Sequence, residues 1–496
     1  MGKENRKTLV ECVLRGFYVP GAGIEPARIA PLVFETSAST DSAIRAGVVR
    51  ACGLSFGRIA SGLEPGRRGW AFRLRNAKVS DFSENAKYLS WAWGQMCIFV
   101  GLMWELMEQI DIYHDGKEVS RVVVGDGLNL DSGLGDCLKP YSHVFVVVDR
   151  QVVTKSRAVY DLVQEFIIKA VPVKAVDVSE TVKTMESVMD ICSWLLDKGA
   201  DRDALVLAVG GGITTDMSGF AATIYKRGVR FAYIPTTLLA QVDAAIGGKT
   251  GVNFEKYKNI LGVIRQPEFT YLCPQVLESL PAREFLSGAA EMLKTFIISD
   301  GGMYDKAVAY LKAYSQDRTA TLERKEVELK ELITAAAAVK AGVVSRDQFE
   351  KGERRVLNLG HTFAHAIETL SQKEERMPVL NLNGKDAGMT HGEAVAVGMV
   401  MAARLADELE KSGQGLVNRI AGMFRKPEDG LAEKLVADLA ACGLPSESPY
   451  SIKEMAQVMR KDKKAEGGKV HFVLPKAIGS VEVVDLTVDE VVKLLK

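Results

Sequence analysis

The sequence predicts an α/β protein: an N-terminal α/β domain of nucleotide-binding type followed by a mainly α-helical C-terminal domain. Three observations predict it. Short β-branched runs alternate with helical stretches between Ile110 and Pro235. Strand signals fade after Pro281, and long Ala/Leu/Glu/Lys segments at helical period take over. Strands alternating with helices indicate an open, largely parallel sheet, whereas unbroken helical periodicity indicates a bundle-like region.

Residues 1 to 106 stand apart. They are rich in Gly, Arg and Ser, as in Pro65-Gly66-Arg67-Arg68-Gly69, with no sustained period. They are expected to be poorly ordered, or to precede a natural start at Met107. Leu89 to Met107 approaches membrane-spanning length, but Gln95, Glu105 and two glycines argue against a span. Beyond it, Ser120 to Gly125 and Val144 to Asp149 read as buried strands, Thr184 to Lys198 as a helix, and Ala204 to Val209 and Val229 to Pro235 as further strands. Helices are predicted over Glu323–Val344, Gly392–Leu409 and Leu431–Cys442, with a polar loop at 371–390. The division expected is an extension at 1–106, an α/β domain at 107–285 and a helical domain at 286–496.

Composition excludes several classes. Over 496 residues, 47% hydrophobic and 25% charged content suits a soluble globular chain. Lys+Arg and Asp+Glu are equal at 63 each, so nothing draws the chain to nucleic acid or to acidic membranes. Seven scattered cysteines without a Cys-x-x-Cys predict free thiols in a reducing compartment, hence the cytoplasm. The first twenty residues lack the apolar core of a secretory signal.

Half of the six histidines fall within thirty-one positions, in Asn358-Leu-Gly-His361-Thr-Phe-Ala-His365-Ala-Ile-Glu368 and His391-Gly-Glu393-Ala-Val. Each alone would pass for a core filler. Two histidines four apart share a helix face, and a third with a carboxylate makes the ligand set of a catalytic divalent metal. Glu291, in Ser287-Gly-Ala-Ala-Glu291-Met-Leu-Lys294, is a candidate carboxylate, with Glu368 and Glu393 as rivals. Lys294 would face substrate, although such an i,i+3 pair is ordinarily solvated.

Strand 204–209 runs into Gly210-Gly211-Gly212-Ile-Thr-Thr-Asp216, glycines that let backbone N–H groups approach phosphate at a helix start. Asp216 would read a hydroxyl or cap the helix. Gly247-Gly248-Lys249-Thr250 looks like a P-loop ending, but position 243 is Asp where the loop needs Gly, which rejects an NTPase. Lys249 remains a point charge for a phosphate ester. Arg227, Lys340, Arg354, Asn358 and the run Arg460-Lys-Asp-Lys463-Lys464 complete a set of groups suited to an anion beside a metal.

In this order the strings Gly-Gly-Gly-x-x-x-Asp-x-x-Gly-Phe, Pro-Thr-Thr-Leu-Leu-Ala-x-x-Asp, Gly-Gly-Lys-Thr-Gly-x-Asn, Ser-Gly-x-x-Glu-x-x-Lys, Asn-x-Gly-His-Thr-x-x-His-Ala-x-Glu, His-Gly-Glu-Ala-Val and Asp-Lys-Lys resemble 3-dehydroquinate synthase over residues 107–496. The resemblance implies a Rossmann-like domain, a helical domain and an active site in the cleft between them. It implies zinc or cobalt on Glu291, His361 and His391. It implies NAD near Asp149, Glu180, Lys183, Gly210, Gly211, Gly212, Asp216, Thr236, Thr237, Lys249, Lys258 and Glu284. The substrate groups it implies are Asp243, Lys249, Asn259, Lys294, Lys340, Arg354, Asn358, His365 and Lys463 or Lys464. Arg227 would reach a phosphate across a homodimer interface.

The chain departs from that pattern in three places. Ala364 stands where the family usually has Gly, the loop 371–390 is longer, and the first hundred residues have no counterpart. The implied reaction converts 3-deoxy-D-arabino-heptulosonate 7-phosphate to 3-dehydroquinate and phosphate. It proceeds by transient oxidation, β-elimination, reduction and intramolecular aldol closure, without net consumption of NAD. Three alternatives stand beside it: another sugar-phosphate cyclase, a metal- and NAD-dependent polyol dehydrogenase, and a non-catalytic NAD-binding or scaffold protein, against which the intact metal trio argues.

Overall fold

Valine-rich runs build a seven-stranded sheet at the centre of the computed structural model, which describes residues 109–255, 257–373, 379–380, 386–412, 428, 430–461 and 469–496. All of these lie in one compact unit, Phe99–Lys496. The expectations for residues 1–106, for Lys463 and Lys464, and for half of the 371–390 loop fall outside the described residues. Among the described residues no helix is long and apolar enough to cross a membrane.

The described residues open with β1 (Gln109–His114) and β2 (Lys117–Val124), then α1 (Leu134–Leu138), β3 (Val144–Asp149), α2 (Arg150–Lys155), α3 (Arg157–Ile168), β4 (Val173–Val176), α4 (Met185–Asp197), β5 (Leu205–Gly210), α5 (Gly212–Ile224) and β6 (Arg230–Pro235). A hairpin of β7 (Lys249–Phe254) and β8 (Tyr257–Ile264) precedes β9 (Thr270–Leu272). The sheet order is β1-β2-β9-β6-β5-β3-β4, parallel except for the β1–β2 pair. Alternate residues feed opposite faces: Val146 and Val148 enter one buried cluster, Phe145 and Val147 the other. That explains why the strand sequences are apolar without alternation.

The order of strands reverses between β3 and β5. At such a point the carboxyl ends of neighbouring strands leave a crevice. Register puts Gly210 opposite Pro235 and Val148 opposite Val209, so Asp149, Gly210 and Thr236 all follow the same edge of the sheet.

Helices fill most of the remainder: α6 (Ala282–Ser299), α7 (Gly301–Gln316), α8 (Arg318–Arg324), α9 (Glu326–Arg346), α10 (His361–Lys373), α11 (His391–Lys411), α12 (Leu431–Ala441), α13 (Ile452–Met459) and α14 (Val488–Leu494). Short strands β10 (Val379–Leu380) and β11 (Asp386–Ala387) pair within the long loop. Two hairpins were not anticipated from the sequence. Lys249 to Asn253 lie in β7, and the mainly helical C-terminal region also holds a strand pair. There β12 (Lys469–Ala477) pairs with β13 (Ser480–Thr487). Its signal was present, two β-branched runs around Gly479 at φ 88°, where an L side chain would be strained.

Candidate active site

Helices α10 and α11 come together because two glycines let them. A Cβ on Gly398 would lie 2.1 Å from the carbonyl oxygen of Gly360, and Gly360 itself has φ 78°. The contact brings the first residue of each helix side by side, with the His361 and His391 rings 5.3 Å apart. Thr390 caps α11 in a capping box with Glu393, and Gly392 N–H donates to Ser287 Oγ at 3.0 Å, tying α11 to α6. Arg283 completes the tie, its fork meeting Glu393 at 2.8 and 2.6 Å.

Glu291, in the middle of α6, points into this junction. Its ligand oxygen and one nitrogen of each histidine lie within 4.8 Å of one another, the one candidate metal cluster among the described residues. His391 Nε2 is 3.2 Å and His361 Nε2 3.5 Å from Glu291 Oε1. The donor set suits a divalent cation: Glu291 is fully buried, its Oε1 facing both imidazoles and its Oε2 paired with Lys294. Burial opposes its charge, yet the charges of Lys294, His361 and His391 hold the carboxyl well below the usual range. Burial pushes His361 well down, toward the neutral form a ligand needs, whereas the carboxylates of Glu291 and Glu368 outweigh burial at His391 and raise it to about 9.

The Glu291–Lys294 pair is not solvated, as its spacing suggested; the side chains are 0% and 1% exposed. Lys294 also lies 3.4 Å from Asp243, which pairs with Lys340 in turn. Asp243 sits in one turn of π-helix, Ala240–Ala244, an irregularity frequent at functional sites. Burial, aided by Arg354, drives Lys340 well below its ordinary value. Arg354 is itself buried and donates to the Gly247 carbonyl at 3.0 Å. Gly247 is required there by its φ of 104°, at which an L side chain would be strained.

Glu350 was missed by sequence reasoning. It pairs with Lys249 and accepts from Asn358 Nδ2 at 2.8 Å, so it joins two candidate substrate groups. Its φ of 57° was the only unusual feature, and it is invisible in sequence. His365 stands one turn on from His361, rings 5.6 Å apart, outside the metal cluster.

At the sheet edge, Gly211 precedes α5 with no side chain capping it, and the buried Thr236 Oγ1 has no hydrogen-bond partner. A Cβ on Gly211 would approach Thr237 to 3.0 Å. Bare helix N–H groups, an orphaned hydroxyl and a glycine cradle suit a dinucleotide phosphate. Asp216 does not cap α5; it pairs with the buried Lys183 at 2.6 Å, and Lys183 also donates to Asn259 at 2.5 Å. Glu180 accepts from Asn253 Nδ2 at 2.8 Å. Asp149 caps α2 through Gln151 N–H, Glu284 lies exposed on the first turn of α6, and Lys258 pairs with Glu368. Arg227 is exposed with φ 67°, away from any ion pair among the described residues.

Fold and site together define an α/β-plus-helical scaffold with a Glu-His-His centre, its glutamate buried, beside a glycine-lined sheet edge. Residues 173–287 match the sequence model for the 3-dehydroquinate synthase N-terminal region and residues 288–465 that for its C-terminal region. The chain belongs to the 3-dehydroquinate synthase family. A 3-dehydroquinate synthase of Caldanaerobacter subterraneus is 35% identical over 387 residues, 77% of this chain and 98% of the relative. One of Acidithiobacillus ferrooxidans is 39% identical over 302 residues, 61% of this chain and 73% of the relative. Among solved structures, ValA, the 2-epi-5-epi-valiolone synthase of Streptomyces hygroscopicus with NAD+ and Zn2+ bound, matches at a TM-score of 0.61 and 26% identity, covering 75% of this chain and 95% of that one. A 2-deoxy-scyllo-inosose synthase shares the fold at a TM-score of 0.59 and 21% identity, covering 78% of this chain and 99% of that one.

Proposed function

We propose that the chain is a 3-dehydroquinate synthase, converting 3-deoxy-D-arabino-heptulosonate 7-phosphate to 3-dehydroquinate and phosphate. The observation that carries this is the trio of buried Glu291 with half-buried His361 and His391, facing a cluster of lysine, arginine and amide groups, in a chain of this family. Zinc or cobalt on the trio would act as a Lewis acid, and NAD at the sheet edge would supply reversible redox chemistry.

The chain's own groups do the rest. Lys294, fixed between Glu291 and Asp243, directs an ammonium at a substrate hydroxyl beside the cation. Asp243 orients Lys294 and Lys340 together. Lys249, Arg354 and Asn358, with Lys340, Asn259, His365 and Lys463 or Lys464, bind the carboxylate and phosphate ends. A guanidinium fork suits either planar group. The reading carries residues 107–285 as the nucleotide-binding part and 286–496 as the metal- and substrate-binding part. It also carries a cytoplasmic homodimer in which Arg227 meets the partner's phosphate.

The test supplies the heptulosonate phosphate with NAD and zinc or cobalt. Phosphate release with no accumulation of NADH is expected. Steady NADH release without phosphate would identify a polyol dehydrogenase instead.

A further inference from the structure

Glu368 and Glu393, the rivals of Glu291 in the sequence, both stand behind the ligands. Glu393 holds the helix start through Arg283 and Thr390. Glu368 approaches a ligand itself. It lies on α10, its side chain only 11% exposed, with Oε1 3.5 Å from His391 Nδ1 and 3.2 Å from Lys258 Nζ. His391 turns its other nitrogen, Nε2, toward Glu291. An imidazole that offers Nε2 to a cation keeps its proton on Nδ1. The acceptor of that proton's hydrogen bond then fixes both tautomer and ring orientation.

We propose that Glu368 is a positioning residue, holding His391 with its proton on Nδ1 so that Nε2 serves a divalent cation, and that Lys258 steadies Glu368 from the β7–β8 hairpin. This rests on the metal reading of Glu291, His361 and His391. The neighbourhood of Glu368 agrees with it. Lys258 was expected to serve the dinucleotide, yet its ammonium meets a carboxylate of the helical region. Its neighbour Asn259 accepts from Lys183, so one hairpin touches both the sheet edge and the ligand helix.

The test uses the full chain loaded with Co2+. It reads the visible d–d spectrum and the affinity by chelator competition, with near-UV circular dichroism to confirm folding. Glu368→Leu is expected to lose about 10- to 100-fold in affinity, with a changed spectrum. Glu368→Gln, whose amide oxygen still accepts the Nδ1 proton, should keep the parent spectrum with a smaller loss, and Lys258→Met should fall between. Parent-like affinity and spectrum in folded Glu368→Leu would overturn the proposal. So would a Glu368→Gln no better than Glu368→Leu. Unchanged Co2+ affinity in Lys258→Met, with weakened NAD binding, would overturn the part given to Lys258. If the parent binds no Co2+, or His391→Ala binds it equally well, the metal reading itself fails.

Discussion

Glu291 would be an improbable residue to bury without a cation or a protonated partner, since an uncompensated buried charge costs several kcal/mol. Its surroundings supply one ammonium and two imidazoles. His391→Ala should therefore abolish both metal content, read by elemental analysis, and phosphate release; a metal-loaded, active variant would remove His391 from the ligand set. Far along the chain from these residues, on β12, Lys476 is 5% exposed. Burial lowers it to about 8 although Glu482 stands 3.8 Å away. A lysine depressed in the folded state binds fewer protons there than when unfolded. Its contribution therefore raises stability as pH climbs from about 8 to the unfolded value of about 10.4, and is a full cost below pH 8. Two to three units correspond to about 3 kcal/mol. Lys476→Met should be more stable than the parent at pH 7 by urea denaturation, the gap closing by about pH 10. A constant gap across that range would refute the assignment.

The element that builds the centre is the glycine contact between α10 and α11. Ridges of larger side chains normally hold helices 8–10 Å apart, and small residues permit closer approach. Gly398→Ala places a methyl 2.1 Å from a carbonyl oxygen, so the helices must part. Overpacking of this kind costs about 1–3 kcal/mol. The expected outcome is a lower melting temperature together with weaker metal binding, because His361 and His391 each begin one of these helices. A parent-like melting temperature and affinity would show that the contact tolerates a side chain. Gly392 enforces the third approach, since its Cβ would stand 2.0 Å from the Ser287 carbonyl on the helix that bears Glu291.

Across the molecule, the sheet supplies one edge and the helices supply the ligands. Elements β1 to α14 run from Gln109 to Leu494, and 387 residues suffice to cover 98% of the Caldanaerobacter relative. A chain begun at Met107 is accordingly expected to fold, with phosphate release within about twofold of the full chain, an estimate based on the independence of a domain with its own core. Loss of folding on that truncation, seen by circular dichroism, would assign residues 1–106 a structural part.

Much of this was legible beforehand. Buried parallel strands are apolar on both faces, so Val144–Asp149 declared itself, and the boundaries of β3 agree with it. The two histidine segments and Glu291 were recognisable because ligand chemistry admits few residue types. Neither hairpin was read, nor were Glu350, the π-turn at Asp243 or the burial of the Glu291–Lys294 pair. Strand pairing, a positive φ and burial depend on partners remote in sequence. By itself the sequence determined which residues could ligate, cradle or carry charge, since those are properties of side chains and of local period. Spacing left three carboxylates as rivals and the family resemblance pointed to Glu291; the tertiary structure places that carboxylate against the histidines and the other two behind them. Glu291, Glu368 and Glu393 are chemically alike, and the close approach of three helices at glycines tells them apart.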